Sequence, residues 1–406
     1  MTDLHAGLDA LLPDLEELYR DLHAHPELSM QETRTADTAA RRLADQGWEV
    51  TTQVGSTGVV GVLRNGTGPT VVLRADMDGL PVHEETGLPY ASEHTGNMHA
   101  CGHDMHVSCL LGAAALFAAR QDAWRGTLIV AFQPAEETSQ GAQTMLDDGF
   151  LDRFPKPDVV LGQHVDNHPA GSVAVRPGVF MAAADSLRIQ LFGRGGHGSR
   201  PQATVDPIVL AAAVVLRLQT IVAREVPPNE TAVVTVGSLH SGTKENIIPD
   251  EAELKVNVRT FTEPVRAQVL AAIERIAEAE SAAAGSPKKP EISPIHSFPL
   301  TRNAPEETER VAGVLGDLLG SEQVLRIDPK TGSEDFGRFG TAAGVPSVFW
   351  FFGGADPDAY AAAETAGRLA EDVPGNHSSR FAPVIQPTLR TGVRALVAAA
   401  GSWLVS

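Results

Sequence analysis

Within the eight residues HACGHDMH, His99 to His106, stand three histidines and one cysteine. Cys101 and His103 are two apart. A helix would send that pair to different faces, so a loop must present them together. Gly102 between them gives the loop its freedom. Asp104 falls where an N-cap belongs, ahead of the apolar stretch 107–118. A thiolate and an imidazole converging on one loop is a metal-ligand arrangement. A buried cysteine with surface histidines is the blander alternative. That reading suits Cys109, inside the helix, better than Cys101.

Three other segments end in groups that bind metals or move protons. TLIVAFQPAEE reads as a buried strand that stops at Pro134 and delivers Glu136 and Glu137 side by side. Adjacent side chains diverge, so one carboxylate can hold a metal while its neighbour serves as general base toward an attacking water. A solvated acidic pair is the common origin of Glu-Glu, but the position at a strand end argues against it. DVVLGQH puts His164 directly after another apolar strand. VVLRADMD does the same for Asp76 and Asp78, which share a side if the strand continues. Ligands of open α/β sheets bind beyond the C-terminal ends of the strands. Asp, Glu and His from three strands are therefore expected on one rim.

Competing templates fail. There is no HExxH, no PCxxC and no CxxC. GRGGHG, Gly193 to Gly198, fits GxGxxG, yet Pro201 and Pro207 interrupt the helix that should follow and no acid lies about 20 residues on. Dinucleotide binding is rejected.

The elements that must position these residues follow from periodicity. Helices are predicted over 8–22, 34–46, 104–119 and 141–149, with strands at Val59–Leu63, Val71–Leu73, Leu128–Phe132 and Val159–Leu161. Alternating strands and helices predict an α/β sheet covered on both faces. Near residue 184 the pattern changes to strand Ser186–Phe192, helix 205–223, strands Ala232–Leu239 and Glu253–Thr260, and helix 264–283. Ser286–Pro290 reads as the exit of this small α+β unit. Helix 305–319, strand Ser347–Phe352 and helix 385–400 then resume the first style, so the small unit is an insertion.

The 406 residues are too many for one compact core and fit two domains. Hydrophobic residues make up 43% and charged residues 20%, ordinary for a soluble enzyme. The net charge of −19 disfavours a phosphate backbone, so nucleic acid is not an expected partner. The N-terminus carries acids where a secretory signal carries Lys or Arg, so no targeting peptide is expected. No apolar run is expected to approach the ~18 residues that span a bilayer, and no membrane partner is expected. Two cysteines suit a reduced, cytoplasmic protein.

With these residues in hand, the chain resembles the zinc aminoacylase and carboxypeptidase superfamily of co-catalytic metallopeptidases. The likeness is to its amidohydrolase branch: hippurate hydrolases, indole-acetyl-amino-acid hydrolases and bacterial aminoacylases of the Nα-acyl-glutamine type. It runs from HAHPELSMQE (His23 to Glu32) to GNHSSRFAP (Gly375 to Pro383), and HACGHD, PAEE and GQH with a late NH are its most specific parts. The resemblance implies a phosphorylase/hydrolase-like mixed-sheet α/β/α catalytic domain, residues 1–184 and 297–406. It also implies an inserted ferredoxin-like α+β lid and dimerisation domain, residues 185–296.

Residue by residue, the resemblance implies five ligands for two divalent ions: Cys101 as the bridge, His103, Glu137, His164 and His377. Zinc is expected, with manganese, cobalt or nickel as alternatives. Glu136 matches the general acid/base and Asp78 an aspartate that supports the metal centre. Asp76 stands where peptidase branches place a metal histidine, so His103 supplies that ligand here. His197 in GGHGSRP matches a histidine that polarises the scissile carbonyl in the neighbouring subunit's site, which implies a homodimer. Asn246 and Arg259 match positions that hold the substrate's carboxylate, although a plain surface-strand role stays open for Arg259. Glu334 in GSEDF is a further position near the metals. TSQGA, Thr138 to Ala142, replaces the Gly-rich run that relatives carry after the glutamate pair. The implied reaction is hydrolysis of an N-acyl amino acid to a carboxylic acid and a free amino acid. The alternatives are a dipeptidase or carboxypeptidase on the same scaffold, and a non-catalytic metal- or ligand-binding protein.

Overall fold

A computed structural model describes residues 3–405. Along the chain, α1 (Leu8–Ala24) and α2 (Thr33–Asp45) precede β1 (Glu49–Val54), β2 (Gly58–Asn65) and β3 (Thr70–Asp76). Helix α3 (His103–Ala119), β4 (Gly126–Gln133), β5 (Val159–Pro169) and β6 (Val173–Val175) follow. Next come β7 (Ala183–Phe192), α4 (Pro207–Thr220), β8 (Ala232–Ser241), β9 (Glu251–Thr260), α5 (Glu263–Ala283) and β10 (Glu291–Phe298). Helix α6 (Pro305–Leu319), β11 (Val324–Arg326), β12 (Ser347–Ala355) and α7 (Ile385–Leu404) complete the main elements.

The chain divides into two compact units. The first, residues 3–180, 302–329 and 335–405, contains an eight-stranded sheet in the order β1-β2-β4-β3-β5-β12-β6-β11. Its middle strands β4, β3, β5 and β12 run parallel. They read as near-continuous apolar runs because both faces are covered, with Val71, Val72 and Leu73 fully buried in β3. Helices α1, α3 and α7 pack together on this core. Because β3, β4 and β5 are parallel, their C-terminal halves point to one rim, where Asp76 closes β3, Glu136 and Glu137 follow β4, and His164 stands in the second half of β5.

The second unit is Met181–Thr301 with Lys330–Glu334. Its order is strand, helix, strand, strand, helix, strand, and its antiparallel sheet runs β8-β9-β7-β10, a ferredoxin-like arrangement. Helices α4 and α5 cover one face through Leu210, Val214, Leu218, Val269 and Ile273. The division falls slightly outside residues 185–296. Strand β7 already starts at Ala183, and the N–H of Ala182 donates to Lys330 O and Gly332 O, which ties residues 330–334 to this unit.

Three expectations are corrected. Strand β10 was not anticipated, because its largely exposed pattern and Pro294 hide it. Asp104 does not cap α3: the left-handed Gly102 precedes it, His103 opens the helix, and Asp104 sits buried in the first turn. One stretch, Pro207–Glu225, is long and apolar enough to cross a bilayer by length and composition. Its buried stripe packs on the small sheet, while Val209 and Leu216 are 65% and 73% exposed.

Candidate metal centre

The first unit brings the predicted ligands together. Gly102, at φ +80°, turns the chain so that Cys101 and His103 face the same space. A Cβ on Gly102 would stand 2.3 Å from Val165 Cγ1, so only glycine fits this approach. After β4 the chain reverses through Ala135, a non-glycine residue at φ +48°, and presents Glu136 and Glu137. His164 lies within β5 rather than just past it, because β5 continues to Pro169 alongside β12. His377 adopts φ +70° and its N–H donates to Ala100 O at 2.7 Å. Asn376 clamps the same loop by donating from Nδ2 to Cys101 O at 3.2 Å and Val165 O at 3.1 Å.

Ligand atoms of Cys101, His103 and Glu137 all lie within 4.8 Å of one another. His164 Nε2 is 3.4 Å from Cys101 Sγ, and its Nδ1 donates to Val165 O at 2.7 Å, which fixes the ring with Nε2 turned toward the sulfur. His377 Nε2 is 3.2 Å from Glu137 Oε1. His377 is exposed, whereas the other four are buried or nearly so. His103 Nε2 and Glu137 Oε1 make no hydrogen bond although both atoms are buried. Buried polar atoms are rarely left outside a hydrogen bond, and two of them facing Cys101 across a common space suit a cation. The donor set of sulfur, imidazole nitrogen and carboxylate oxygen is also one that divalent transition ions accept. The residues present therefore fit a dinuclear centre.

Asp78 organises this geometry. It is 1% exposed and accepts from Ser29 Oγ at 2.7 Å, from Glu136 N and Glu137 N at 3.1 Å each, and faces His103 Nδ1 at 3.2 Å. One carboxylate thus fixes both the glutamate loop and the tautomer of His103, leaving Nε2 for a ligand role. Asp76 pairs with the fully buried Arg74 at 2.7 Å and with His106 Nδ1. His106 Nε2 accepts from Val165 N at 2.7 Å, so both its nitrogens are committed and it supports β5 instead of binding.

The buried carboxylates dominate the electrostatics of the cluster, and a bound cation would have to displace the protons they hold there. Burial alone would depress His103, but Asp76, Asp78 and Glu137 override it and raise it to about 10. Burial, with His164 and His103 nearby, lowers His106 to about 3 against the pull of Asp76. Burial and the charges of Glu137 and Glu136 push the Cys101 thiol well up. A thiolate at this position needs a cation's charge, as ligation supplies. Cys109 is also raised by burial and touches only the core, the inert role expected of it.

Not every predicted residue belongs to this cluster. His197, Asn246 and Arg259 lie in the second unit. His197 is exposed, with Nδ1 accepting from Ser199 N at 3.1 Å, and sits on a two-residue strand paired with Ile247–Ile248. Asn246 is exposed and its carbonyl accepts from Gly198 N. Arg259 is half-buried and donates to Asn257 Oδ1, Thr331 O and Ser333 Oγ. Glu334 is buried at the edge of this unit.

Sequence reasoning missed three supports. Glu32 accepts from Ala135 N at 2.8 Å and holds the left-handed turn before the glutamate pair. Ser29 and Asn376 act as described above. Glu32 and Ser29 belong to the His23–Glu32 segment and Asn376 precedes His377, so adjacency to recognised residues was the available signal.

Comparison with known proteins gives the family. The model of Peptidase family M20/M25/M40 matches residues 72–373. Thermostable carboxypeptidase 2 of Saccharolobus solfataricus is 36% identical over 384 residues, covering 93% of this chain and 92% of the relative. Hippurate hydrolase of Campylobacter jejuni is 39% identical over 331 residues, covering 80% of this chain and 85% of the relative. The solved structure of Bacillus subtilis YXEP protein, a dinuclear metal-binding peptidase of the M20 family, is 30% identical with a TM-score of 0.77, covering 97% of this chain and 98% of that one.

Proposed function

The chain belongs to Peptidase family M20/M25/M40, and from that premise we propose that it is a metal-dependent amidohydrolase that cleaves N-acyl amino acids to a carboxylic acid and a free amino acid. The observation that carries the reading is the convergence of Cys101, His103 and Glu137, two of their buried atoms outside any hydrogen bond, beside a second buried carboxylate, Glu136. A pure binding protein has no use for that second carboxylate.

Cys101, His103, Glu137, His164 and His377 would hold two divalent ions, with zinc favoured by the thiolate and imidazoles. When bound, such ions lower the pKa of water and polarise the scissile carbonyl. Glu136 takes the proton from the attacking water and returns it to the leaving amine. Its backbone is fixed by the N–H bond to Asp78, so its carboxylate starts from a set position. His197, acting in trans on the site of a neighbouring subunit, adds a donor to the developing oxyanion. Arg259 and Asn246 receive the substrate's α-carboxylate, and a guanidinium fork suits that planar anion.

A homodimer through the second unit is part of the proposal. Every exposed large hydrophobic among the described residues lies in that unit, including Val209, Leu216, Val233 and Leu239 on α4 and the sheet-edge strand β8. Such a concentration is characteristic of an association surface. A strictly monomeric yet fully active enzyme in sedimentation overturns it. A cytoplasmic location is also part of the proposal, since only two cysteines in 406 residues suit a reducing compartment.

The similarity to a carboxypeptidase supports a second reading, in which the acyl group is itself an amino acid or peptide. Hydrolysis of N-acetyl and N-benzoyl amino acids measured beside dipeptides and short peptides, after reconstitution with zinc, manganese, cobalt or nickel, separates the two. Preference for the simple acyl substrates is expected; exclusive cleavage of peptides overturns the first reading. A fully metallated protein that cleaves neither class overturns both.

A further inference from the structure

In the second unit a half-buried arginine makes no ion pair. Arg259 donates from Nε to Asn257 Oδ1 at 3.1 Å and from Nη1 to Thr331 O at 2.8 Å and Ser333 Oγ at 3.1 Å. All three acceptors are neutral, and Nη2 donates to nothing among the described residues. Burial lowers the guanidinium's pKa. A partly desolvated cation held only by neutral groups is costly unless an anion completes it.

The support behind this arginine is a row of side chains across three strands. Asn257 on β9 stands opposite Ser186 on β7, and Ser186 stands opposite His296 on β10. Asn257 Nδ2 donates to Ser186 Oγ at 3.0 Å, and Ser186 Oγ lies 2.8 Å from His296 Nε2. Ser186 accepts from Asn257, and with the lone pair of His296 on Nε2 its own hydrogen completes the row. In that arrangement the donors point away from the cation and each bond polarises the next, with Asn257 presenting its carbonyl to the guanidinium. Burial and the Arg259 charge keep His296 low, hence neutral and able to accept.

A bulge builds the row. The register of β10 against β7 shifts between Pro294 and His296. Without the shift Ile295 would face Ser186; with it Ile295 is left 47% exposed and His296 takes its place.

We propose that Asn257, Ser186 and His296 are positioning residues that hold the Arg259 guanidinium in the orientation that receives the substrate's α-carboxylate. This rests on the carboxylate reading of Arg259 given above. The role is specificity for a free carboxylate, not chemistry at the amide.

The test uses full-length, metal-reconstituted enzyme with N-benzoylglycine and its carboxamide. Asn257→Ala is expected to raise KM for the acid about tenfold with kcat within about twofold, the size of one lost charge-assisted hydrogen bond, and Ser186→Ala and His296→Ala should raise it in the same sense by about two- to fivefold, since they remove neutral bonds further along the row. Selectivity for acid over carboxamide should fall with them. His296→Gln, whose amide oxygen can accept from Ser186, should recover most of the loss. Thermal melting of each variant guards against misfolding, and the small Ser186→Ala change keeps the test open if a larger one unfolds the unit. Arg259→Ala fixes the ceiling of the effect. If it abolishes the acid preference while the three row variants behave as wild type, the positioning role is overturned alone. If Arg259→Ala leaves the preference intact, or the acid is no better than its carboxamide in wild type, the carboxylate reading falls and the positioning role with it.

Discussion

Removing the Asp78 carboxylate should damage stability and metal binding together. The group is buried and accepts from Ser29 Oγ, Glu136 N and Glu137 N while facing His103 Nδ1. Asp78→Ala strands the two backbone donors and the imidazole N–H, since the serine hydroxyl can turn elsewhere. At about 1–2 kcal/mol for each stranded buried donor, the loss is on the order of 3–6 kcal/mol. Water entering the vacated space would bring it toward the lower figure. Asp78→Asn keeps the shape and loses the charge. It should cost less stability and still weaken metal affinity about 10–100-fold, because the outer partner that orients His103 and raises its basicity is gone. Urea unfolding of the chelated protein gives the first quantity, and competition with a chromophoric chelator gives the second. Wild-type metal affinity in Asp78→Asn would refute the claim that this carboxylate organises the centre.

Two further outcomes follow from local physics. Gly102→Ala adds a Cβ 2.3 Å from Val165 Cγ1 at φ +80°, so it should cost at least about 1–2 kcal/mol in backbone strain, displace Cys101 from His103, and lower both metal content and turnover in parallel assays. His23, bound to Asp104 at 2.6 Å and Glu84 at 3.2 Å, is raised from 6.5 to about 9 although burial opposes the shift. Between those pH values the folded chain holds a proton that the unfolded chain has released. Its contribution, about 3 kcal/mol, is therefore complete below pH 6.5 and is lost as pH rises through about 9. Denaturation midpoints measured from pH 6 to 9 should fall for wild type and flatten for His23→Gln; equal slopes would refute the pairing.

The rim was legible in the sequence because parallel, doubly covered strands are continuous apolar runs, and an acid or histidine stands within a few residues of where each run stops. Asp76, Glu136, Glu137 and His164 were found that way. Cys101 and His103 were found from a glycine between two ligand types. His377 had no such signal: it is exposed, lies outside any strand, and reaches the cluster only through a left-handed backbone and the Asn376 clamp. Strands β1 and β10 escaped for a related reason, since exposed edge strands lack an apolar alternation. With β10 went His296, and so the row behind Arg259. The capping role expected of Asp104 failed because Gly102 moves the helix start forward by enough to bury Asp104 against His23.

The central claim is that a metal centre built on Cys101, His103 and Glu137 performs amide hydrolysis with Glu136 carrying the proton. The most direct measurement is the rate of N-benzoylglycine hydrolysis by wild type and Glu136→Gln at equal, measured metal content. The account predicts two ions per chain in both proteins and a loss of at least about 100-fold in kcat for the variant. A fully metallated Glu136→Gln that retains most of the wild-type rate would contradict it.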